Sequence, residues 1–521
     1  MGVRVSSVSS TLTTNAARTG CFLAAALAAA FSLAPLSAQG MPVVQVTSPV
    51  MNSEVAPGGS IPLAADASSP GSVIIRVEFF DDDHLVGSTT QAPFKLDYQP
   101  TAHKLNFRIT ARATDAAGHS ALSPAVTCVA TSNVQRRYKS YDYEETSETI
   151  LKQVRLTIPE GLSVVRGILV VTNSSGGNSR DYFKEAWYGE FLYLHDFAFL
   201  GARGFDSHSE SFQVMQHALQ KIAEEANHPE LVNVPYATTG FSAGGGFASR
   251  LLVEAPDRVI ACVPCGARLN FTGVDPTSAM LHTPACIISG ELEKNFPSAV
   301  EPVLATYRPR GAQYAWMTIQ NASHARMGQE KLAMPLLDTV LRMRYPADAD
   351  VRTGPVTLKP IDTESGWVAD NTTWTSGLTT ITAAKDFKGD IEKSSWLPSE
   401  DIAFIYRAYA TYDKPISITS PETSWSQAGI QPSVYRAWDP GSNVTIVVDD
   451  TRFPGWKKLE FYDDARKLGE ITQGPPQFTA MNLQPGYHAF SILGTDAQGN
   501  LRTSNPVLVV VRKLPTTNLA H

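Results

Sequence analysis

Residues 234–256 read VPYATTGFSAGGGFASRLLVEAP. A β-branched and aromatic run, Val234 to Thr239, meets Gly240-Phe241-Ser242-Ala243-Gly244, and helix-compatible sequence follows to Glu254, stopped before Pro256. Strand, G-x-S-x-G and helix in that order is the setting of a nucleophile elbow. A serine there sits on a strained turn, and only glycines on either side let strand and helix approach closely. The helix start aims backbone N–H groups and the positive end of its dipole at a developing oxyanion. The five-residue pattern alone arises often by chance, so the rest of the chain has to supply partners for Ser242.

At 521 residues the chain is long enough for three or four domains, and 43% hydrophobic with 18% charged residues is globular composition. The net charge of −7, with no Lys/Arg run, argues against nucleic acid or an anionic membrane as the main partner. At the N-terminus, Arg4 and Arg18 precede an apolar run, Cys21 to Ala34, and Ser37-Ala38 supply small residues before Gln39. That pattern predicts a secretory signal over 1–38 and an exported protein, periplasmic or extracellular. The apolar run is shorter than the ~20 residues that span a bilayer, so no membrane anchor is expected. Cys21 precedes the apolar run instead of ending it, which argues against a lipoprotein cut.

Four cysteines follow the signal: Cys128, Cys262, Cys265 and Cys286. Export permits disulfides, but three of the four fall on predicted strands, where buried thiols are as reasonable as a bridge. No helix starts after the first cysteine of the C-x-x-C, which argues against a redox role.

Residues 42–133 carry short alternating runs, among them VIIRVEFF (73–80), FKLDY (94–98) and LNFRITARATD (105–115), separated by turn-forming clusters. These predict a β-sandwich. The pattern returns over 415–513. Val77-Glu78-Phe79-Phe80-Asp81-Asp82 reappears as Leu459-Glu460-Phe461-Tyr462-Asp463-Asp464, followed at equal distance by Gly87 and Gly469. Ala113-Thr114-Asp115 with Gly118 reappears as Gly494-Thr495-Asp496 with Gly499. Both copies resemble bacterial immunoglobulin-like domains. Asp81-Asp82-Asp83 offers oxygen ligands, but consecutive strand residues face opposite ways, so a solvated turn is expected there and no metal site.

Between the copies, 136–345 changes character. LKQVRLTIP (151–159) and RGILVVTN (166–173) read as strands, and SFQVMQHALQKIAEEA (211–226) reads as a helix. The elbow, RVIACVPCGA, PACIISGE and QYAWMTIQN follow. Strands alternating with helix-length segments predict a mostly parallel sheet with helices on both faces and chemistry at the strands' carboxyl ends.

A serine hydroxyl needs a positioned imidazole, and the imidazole needs a carboxylate, in the chain order Ser, acid, His. Of the histidines after Ser242, His282 precedes its strand, His488 lies in the second sandwich and His521 is in the tail. His324 follows YAWMTIQ directly, and helix-forming sequence (328–343) comes next. The acid is expected after PACIIS, where Glu291 and Glu293 compete. The second oxyanion donor is expected in the glycine-rich loop 174–180, at Ser175 and Gly176, with the Ala243 N–H as the first. That loop lacks the phosphate-binding pattern G-x-x-x-x-G-K-[ST]. Tyr182, Phe183, Trp187 and Phe205 are candidates to line a substrate pocket, with core packing as the competing reading.

With G-F-S-A-G-G, the glycine-rich loop, G-E-x-[DE] and the late histidine, 136–345 resembles the α/β-hydrolase superfamily. It is most similar there to secreted dienelactone-hydrolase, feruloyl-esterase and polyhydroxyalkanoate-depolymerase enzymes. The resemblance implies a serine esterase with no cofactor, forming an acyl-enzyme on Ser242; no metal site is expected, since His324 has no ligand-spaced His or Cys nearby. It favours Glu293, which occupies the Asp position of the G-x-x-D found in many members. Residues 346–414, with three Trp-containing stretches, are expected to pack on the hydrolase flank, with sugar binding as the alternative. The whole is therefore expected to be an α/β-hydrolase between two immunoglobulin-like sandwiches, acting on an ester, with polymeric and cell-wall esters suggested by the appended modules. Its rivals are a noncatalytic surface or carbohydrate-binding protein on a decayed hydrolase fold, and a peptidase.

Overall fold

Along Asn106–Asp115, Phe107, Ile109, Ala111 and Ala113 point inward and are at most 2% exposed, as a strand with one covered face requires. The computed structural model describes residues 40–514 apart from 57, 102–103, 132–135, 148–149, 294–295, 327 and 422–436. The expected signal over 1–38, and His521, lie outside the described residues.

In the N-terminal sandwich, Val43–Ser48, Ile61–Ser68 and Phe94–Tyr98 form one sheet. The second sheet runs Ser53–Val55, Val126–Ala130, Asn106–Asp115, Ile74–Asp81, His84–Thr89. The C-terminal sandwich has the same order, with Ser417–Ser420, Val444–Asp449 and Gln477–Ala480 facing a sheet that runs Ala437–Trp438, Val507–Val511, Gly486–Thr495, Lys458–Asp463, Arg466–Ile471. The repeated sequence features have repeated causes. Asp115 Oδ1 accepts the N–H groups of Ala117 and His119, and Asp496 Oδ1 accepts those of Gln498 and Asn500, so each aspartate closes its own turn. A Cβ at Gly87 would lie 2.5 Å from Leu96, and one at Gly469 would lie 2.4 Å from Phe478, so each glycine makes room for the inward side chain of the facing strand. In the acidic turn, Asp81 is buried and paired with Lys104 Nζ at 2.7 Å and with the Tyr98 hydroxyl at 2.9 Å.

The central sheet has eight strands: β1 (Tyr138–Ser147), β2 (Ile150–Pro159), β3 (Gly167–Thr172), β4 (Phe197–Arg203), β5 (Tyr236–Phe241), β6 (Val259–Cys265), β7 (Ala285–Gly290) and β8 (Tyr314–Ile319). Their spatial order is β1-β2-β4-β3-β5-β6-β7-β8, antiparallel through the β2–β4 pair and parallel thereafter. That order, with crossover helices, is the α/β-hydrolase arrangement. Helices α1 (Ala186–His195), α2 (Ser209–Ala226), α3 (Ala243–Glu254), α4 (Ser278–Leu281), α5 (Pro297–Tyr307) and α6 (Glu330–Arg344) connect and cover the strands. Every residue of β3, β5, β6 and β7 is buried, as expected of parallel strands covered on both faces. Cys262 and Cys265 on β6 and Cys286 on β7 are free, buried thiols, and Cys128 is buried in the first sandwich. Burial pushes the Cys286 thiol up to about 12 and raises Cys262 and Cys265 as well.

Residues 346–414 lie against the β8 edge. A three-stranded sheet, Ile381–Ala383, Trp367–Asp370, Ser394–Leu397, leads into helix α7 (Glu400–Ala410). The Trp316 N–H donates to Ser395 Oγ at 2.9 Å, and Ser395 Oγ donates back to the Trp316 carbonyl at 3.1 Å. Tyr406 Oη donates to the same carbonyl at 2.5 Å. These side chains satisfy an edge strand that would otherwise present open backbone groups. Trp374 and Trp396 are buried in the hydrolase core, and the Trp374 ring meets that of Trp316 edge-on at 5.1 Å.

Candidate active site

Strand β5 delivers Ser242 at its carboxyl end, and α3 begins at the next residue. Ser242 has φ 57° and ψ −119°, a backbone conformation that side-chain-bearing residues rarely adopt. Its N–H donates to the Cys265 carbonyl at 2.8 Å, and its carbonyl accepts from Gly246 at 2.9 Å, so backbone bonds on both sides hold the turn. The flanking glycines are obligatory on contact grounds. A Cβ at Gly240 would lie 2.4 Å from the Gly244 carbonyl oxygen, and one at Gly244 would lie 2.4 Å from the Thr172 carbonyl carbon.

The loop after β8 brings His324 to Ser242. The Ser242 hydroxyl lies 2.8 Å from His324 Nε2, and His324 Nδ1 lies 2.6 Å from Glu293 Oε2. A carboxylate only accepts, so Nδ1 carries the proton and Nε2 is left to accept from the serine. Glu293 is itself fixed by the Gly290 N–H, which donates to Oε1 at 2.8 Å. Glu291, the competing acid, is used otherwise: its Oε2 accepts from the Asn321 N–H at 2.9 Å and shapes the turn ahead of His324. The imidazole is about half exposed, whereas the Glu293 carboxylate is only 9% exposed, so the hydrogen-bonded chain is open to solvent at the imidazole and covered at the carboxylate.

Two contacts that position the imidazole escape sequence reading. The Phe241 ring lies under His324, with ring centroids 4.9 Å apart. Gly266, at φ 56°, leaves the space beside them: a Cβ there would lie 2.8 Å from the Phe241 ring and 3.0 Å from His324 Cε1. Phe241 stands in the free position of the G-x-S-x-G pattern, and Gly266 follows a strand without any motif. A third contact lies two residues past the histidine. Arg326 pairs with Glu330 at 2.5 Å and Glu185 at 3.4 Å, and its guanidinium covers the Tyr182 ring at 4.4 Å. The Tyr188 hydroxyl donates to Glu330 Oε1 at 3.0 Å. Burial raises the Glu185 carboxyl to about 7, with Arg326 opposing the shift and Glu330 adding to it. This cluster ties the start of α6 to the start of α1 and anchors the His324 loop between them.

At the oxyanion side, Ala243 is the first residue of α3, so its N–H belongs to the unpaired helix start. Gly244 packs against the Thr172–Asn173 backbone, which places the beginning of the glycine-rich loop beside the elbow. Ser175 and Gly176 are exposed, one or two positions further on, in a turn closed by the Gly177 N–H donating to the Ser174 carbonyl at 2.8 Å. Asn173 braces that turn, its side chain accepting from the Ser174 N–H and donating to the Tyr182 hydroxyl.

The four aromatic residues expected around a pocket separate. Phe183, Trp187 and Phe205 are core residues at 8%, 2% and 3% exposure, and this corrects their assignment as pocket lining. The reason is that α1 and the β4 end pack inward: Phe183 lies against Tyr138 and Phe199, and Phe205 meets Phe247 of α3 edge-on. Only Tyr182 is partly exposed, and it spans the glycine-rich loop and Arg326. The open space on this face lies elsewhere. A cavity of about 300 Å³ sits between the 268–272 loop and α5, with Arg268, Phe271 and Tyr307 in its wall. Arg268 is two residues past Gly266.

Residues 42–111 match the family model of the bacterial Ig domain. Among solved structures, the chain is similar to the dienelactone hydrolase of Anabaena variabilis at 18% identity, over 39% of this chain and 97% of that one, with a TM-score of 0.29. It is similar to the poly(3-hydroxybutyrate) depolymerase LpqC of Bordetella parapertussis at 14% identity, over 42% and 94% of the two chains, with a TM-score of 0.29. It is also similar to the fibronectin(III)-like modules of Clostridium thermocellum CbhA at 25% identity, over 17% of this chain and 94% of that one, with a TM-score of 0.16. Comparison with the curated proteins by sequence found no match. By strand order and elbow, the chain is a multidomain protein: an α/β-hydrolase flanked by two immunoglobulin-like sandwiches.

Proposed function

We propose that this protein is a serine hydrolase that cleaves carboxylic esters through an acyl-enzyme on Ser242. The observation that carries the reading is the continuous hydrogen-bonded chain Ser242 Oγ, His324, Glu293, set on a strained turn at a helix N-terminus. In the first half-reaction His324 Nε2 takes the hydroxyl proton as Oγ attacks the ester carbonyl. Glu293 holds the ring in the required tautomer and stabilises the imidazolium that forms. The Ala243 N–H and an N–H of the 174–176 turn receive the oxyanion. His324 then protonates the leaving alcohol, and the same groups run the steps in reverse order with water as the nucleophile. No step in this scheme calls on a metal or cofactor. Both the signal-like N-terminus and the bacterial Ig match favour an exported enzyme. Polymeric or cell-wall esters are the substrate class that the paired sandwiches favour.

Hydrolysis of p-nitrophenyl acetate and butyrate by the mature chain, beside Ser242→Ala and matched anilide substrates, tests this reading. Ester turnover that vanishes in the variant supports it. Anilide cleavage at a rate comparable to ester cleavage would shift the reading to a peptidase. No turnover of either by folded protein would leave a binding protein on a hydrolase fold.

A further inference from the structure

A second cavity, of about 460 Å³, lies where the hydrolase, the 346–414 segment and the C-terminal sandwich meet. Its walls come from the turn after β8, the first turn of α6, the residues after α7, and the two C-terminal loops that carry Arg452 and Asn505. Three cations line it: Lys331, Lys414 and Arg452. Lys331 and Lys414 are partly covered, and desolvation lowers both ammonium groups, Lys414 to about 8. Burying a cation is costly unless an anion faces it.

The neighbouring carboxylates are largely committed elsewhere. Glu291 is the one that acts on Lys414, and it also accepts the Asn321 N–H. Glu330 acts on Lys331, but its Oε1 is held by Arg326 and Tyr188. Asp413 pairs with Arg502 at 3.5 Å, and Asp449, near Arg452, accepts from the Thr451 N–H of its own turn. Among the described residues, no ion pair joins Lys331, Lys414 or Arg452 to an acid. Gln320, Asn321, Ser417 and Asn505 add hydrogen-bonding groups to the wall. The cleft is thus polar and cationic, and roomy enough for a molecule well beyond a single ion.

We propose that this three-domain cleft is a binding site for a multiply charged oxyanion, a carboxylate- or phosphate-bearing ligand that bridges hydrolase and C-terminal sandwich. It opens at the carboxyl end of β8, three strands from Ser242, which at the usual strand spacing is about 14 Å. A small anion there does not touch the reacting serine, so the proposal stands independently of the esterase reading.

Isothermal titration of the full mature chain with citrate, and separately with inorganic phosphate, at pH 7 and constant ionic strength, tests it. Saturable binding of one equivalent is expected for at least one probe, and the tighter of the two tells carboxylate from phosphate. Arg452→Gln and Lys414→Met should each weaken it tenfold or more, whereas Lys221→Gln, which removes an exposed charge on α2, should leave it unchanged. Arg452 is exposed, so its substitution leaves the fold intact and keeps the test readable if Lys414→Met misfolds. Binding should persist in Ser242→Ala, which separates this site from the catalytic reading. Absence of saturable binding by either probe, or equal binding in wild type, Arg452→Gln and Lys414→Met, would overturn the proposal.

Discussion

At the scale of single residues, Glu293 and Glu291 are two positions apart and face different tasks, which makes them separable. Glu293→Gln keeps the side chain's size but cannot hold the imidazolium or enforce the tautomer, so kcat should fall on the order of 10²- to 10⁴-fold. Glu291→Gln still offers an oxygen to the Asn321 N–H and should lose less than about tenfold by the same comparison. Steady-state kinetics on the two variants decides it. Gly266→Ala probes positioning instead. Its Cβ meets the ring edges of Phe241 and His324, and not backbone, and the φ of 56° strains any side chain there, so the ring should be displaced at some cost in stability. A loss of kcat on the order of 10- to 100-fold is expected, with stability lowered by about 1–2 kcal/mol for the strained backbone. The sequence singles out Ser242 and His324 and leaves Glu291 and Glu293 competing, with the family resemblance favouring Glu293, and the structure brings Ser242, His324 and Glu293 into contact. Phe241, Gly266 and Arg326 were not legible, because their roles arise from three-dimensional proximity to His324 and from no local pattern.

At the scale of elements, the strands that face solvent on one side or are wholly buried read clearly from alternation or apolar runs. Two hydrolase strands did not. β1 reads YKSYDYEETS, too polar to announce itself because it is the sheet's edge. β4, FAFLGAR, is a continuous apolar run close behind the aromatic α1, so periodicity does not separate the two. The run VLVVV in the last strand has a different cause: Val509 and Val511 fill the sandwich core, while Leu508 and Val510 join the hydrolase core. The cluster joining α1 to α6 makes a prediction about pH. Glu185 has a folded-state value of about 7 against about 4.3 for an unperturbed glutamate, so it is ionised in both states above pH 7 and folding then bears its desolvation. That cost fades as pH falls toward 4, where both states are protonated. Glu185→Gln should therefore stabilise the protein at pH 8, by at most about 4 kcal/mol, and do little at pH 4. Thermal midpoints of both proteins at the two pH values check the sign.

At the scale of the molecule, the two sandwiches meet each other although about 390 residues separate Asn52 from Thr445. Asn52 Nδ2 donates to the Thr445 carbonyl at 2.8 Å, and the Thr445 N–H donates to Asn52 Oδ1 at 3.1 Å. Asn106 repeats the device with the Gly441 carbonyl and the Asn443 N–H, at 3.0 and 2.7 Å. Asn52→Leu leaves both Thr445 groups buried without partners, which typically costs about 1–3 kcal/mol each. It should lower the thermal midpoint and hasten protease nicking between the N-terminal sandwich and the hydrolase, with ester turnover unchanged. The sequence repeat disclosed the two modules, but not that they pack together, since a side chain that mimics a strand partner carries no periodicity.

The central claim is that Ser242 is an activated nucleophile, and covalent labelling reads this directly. The mature chain would be treated with a fluorophosphonate, digested, and the adduct located by mass spectrometry, with Ser242→Ala alongside. One adduct, on Ser242, absent from the variant and slowed in Glu293→Gln, is the predicted result. Folded wild-type protein that takes up no label, or carries it equally in Ser242→Ala, would contradict the account.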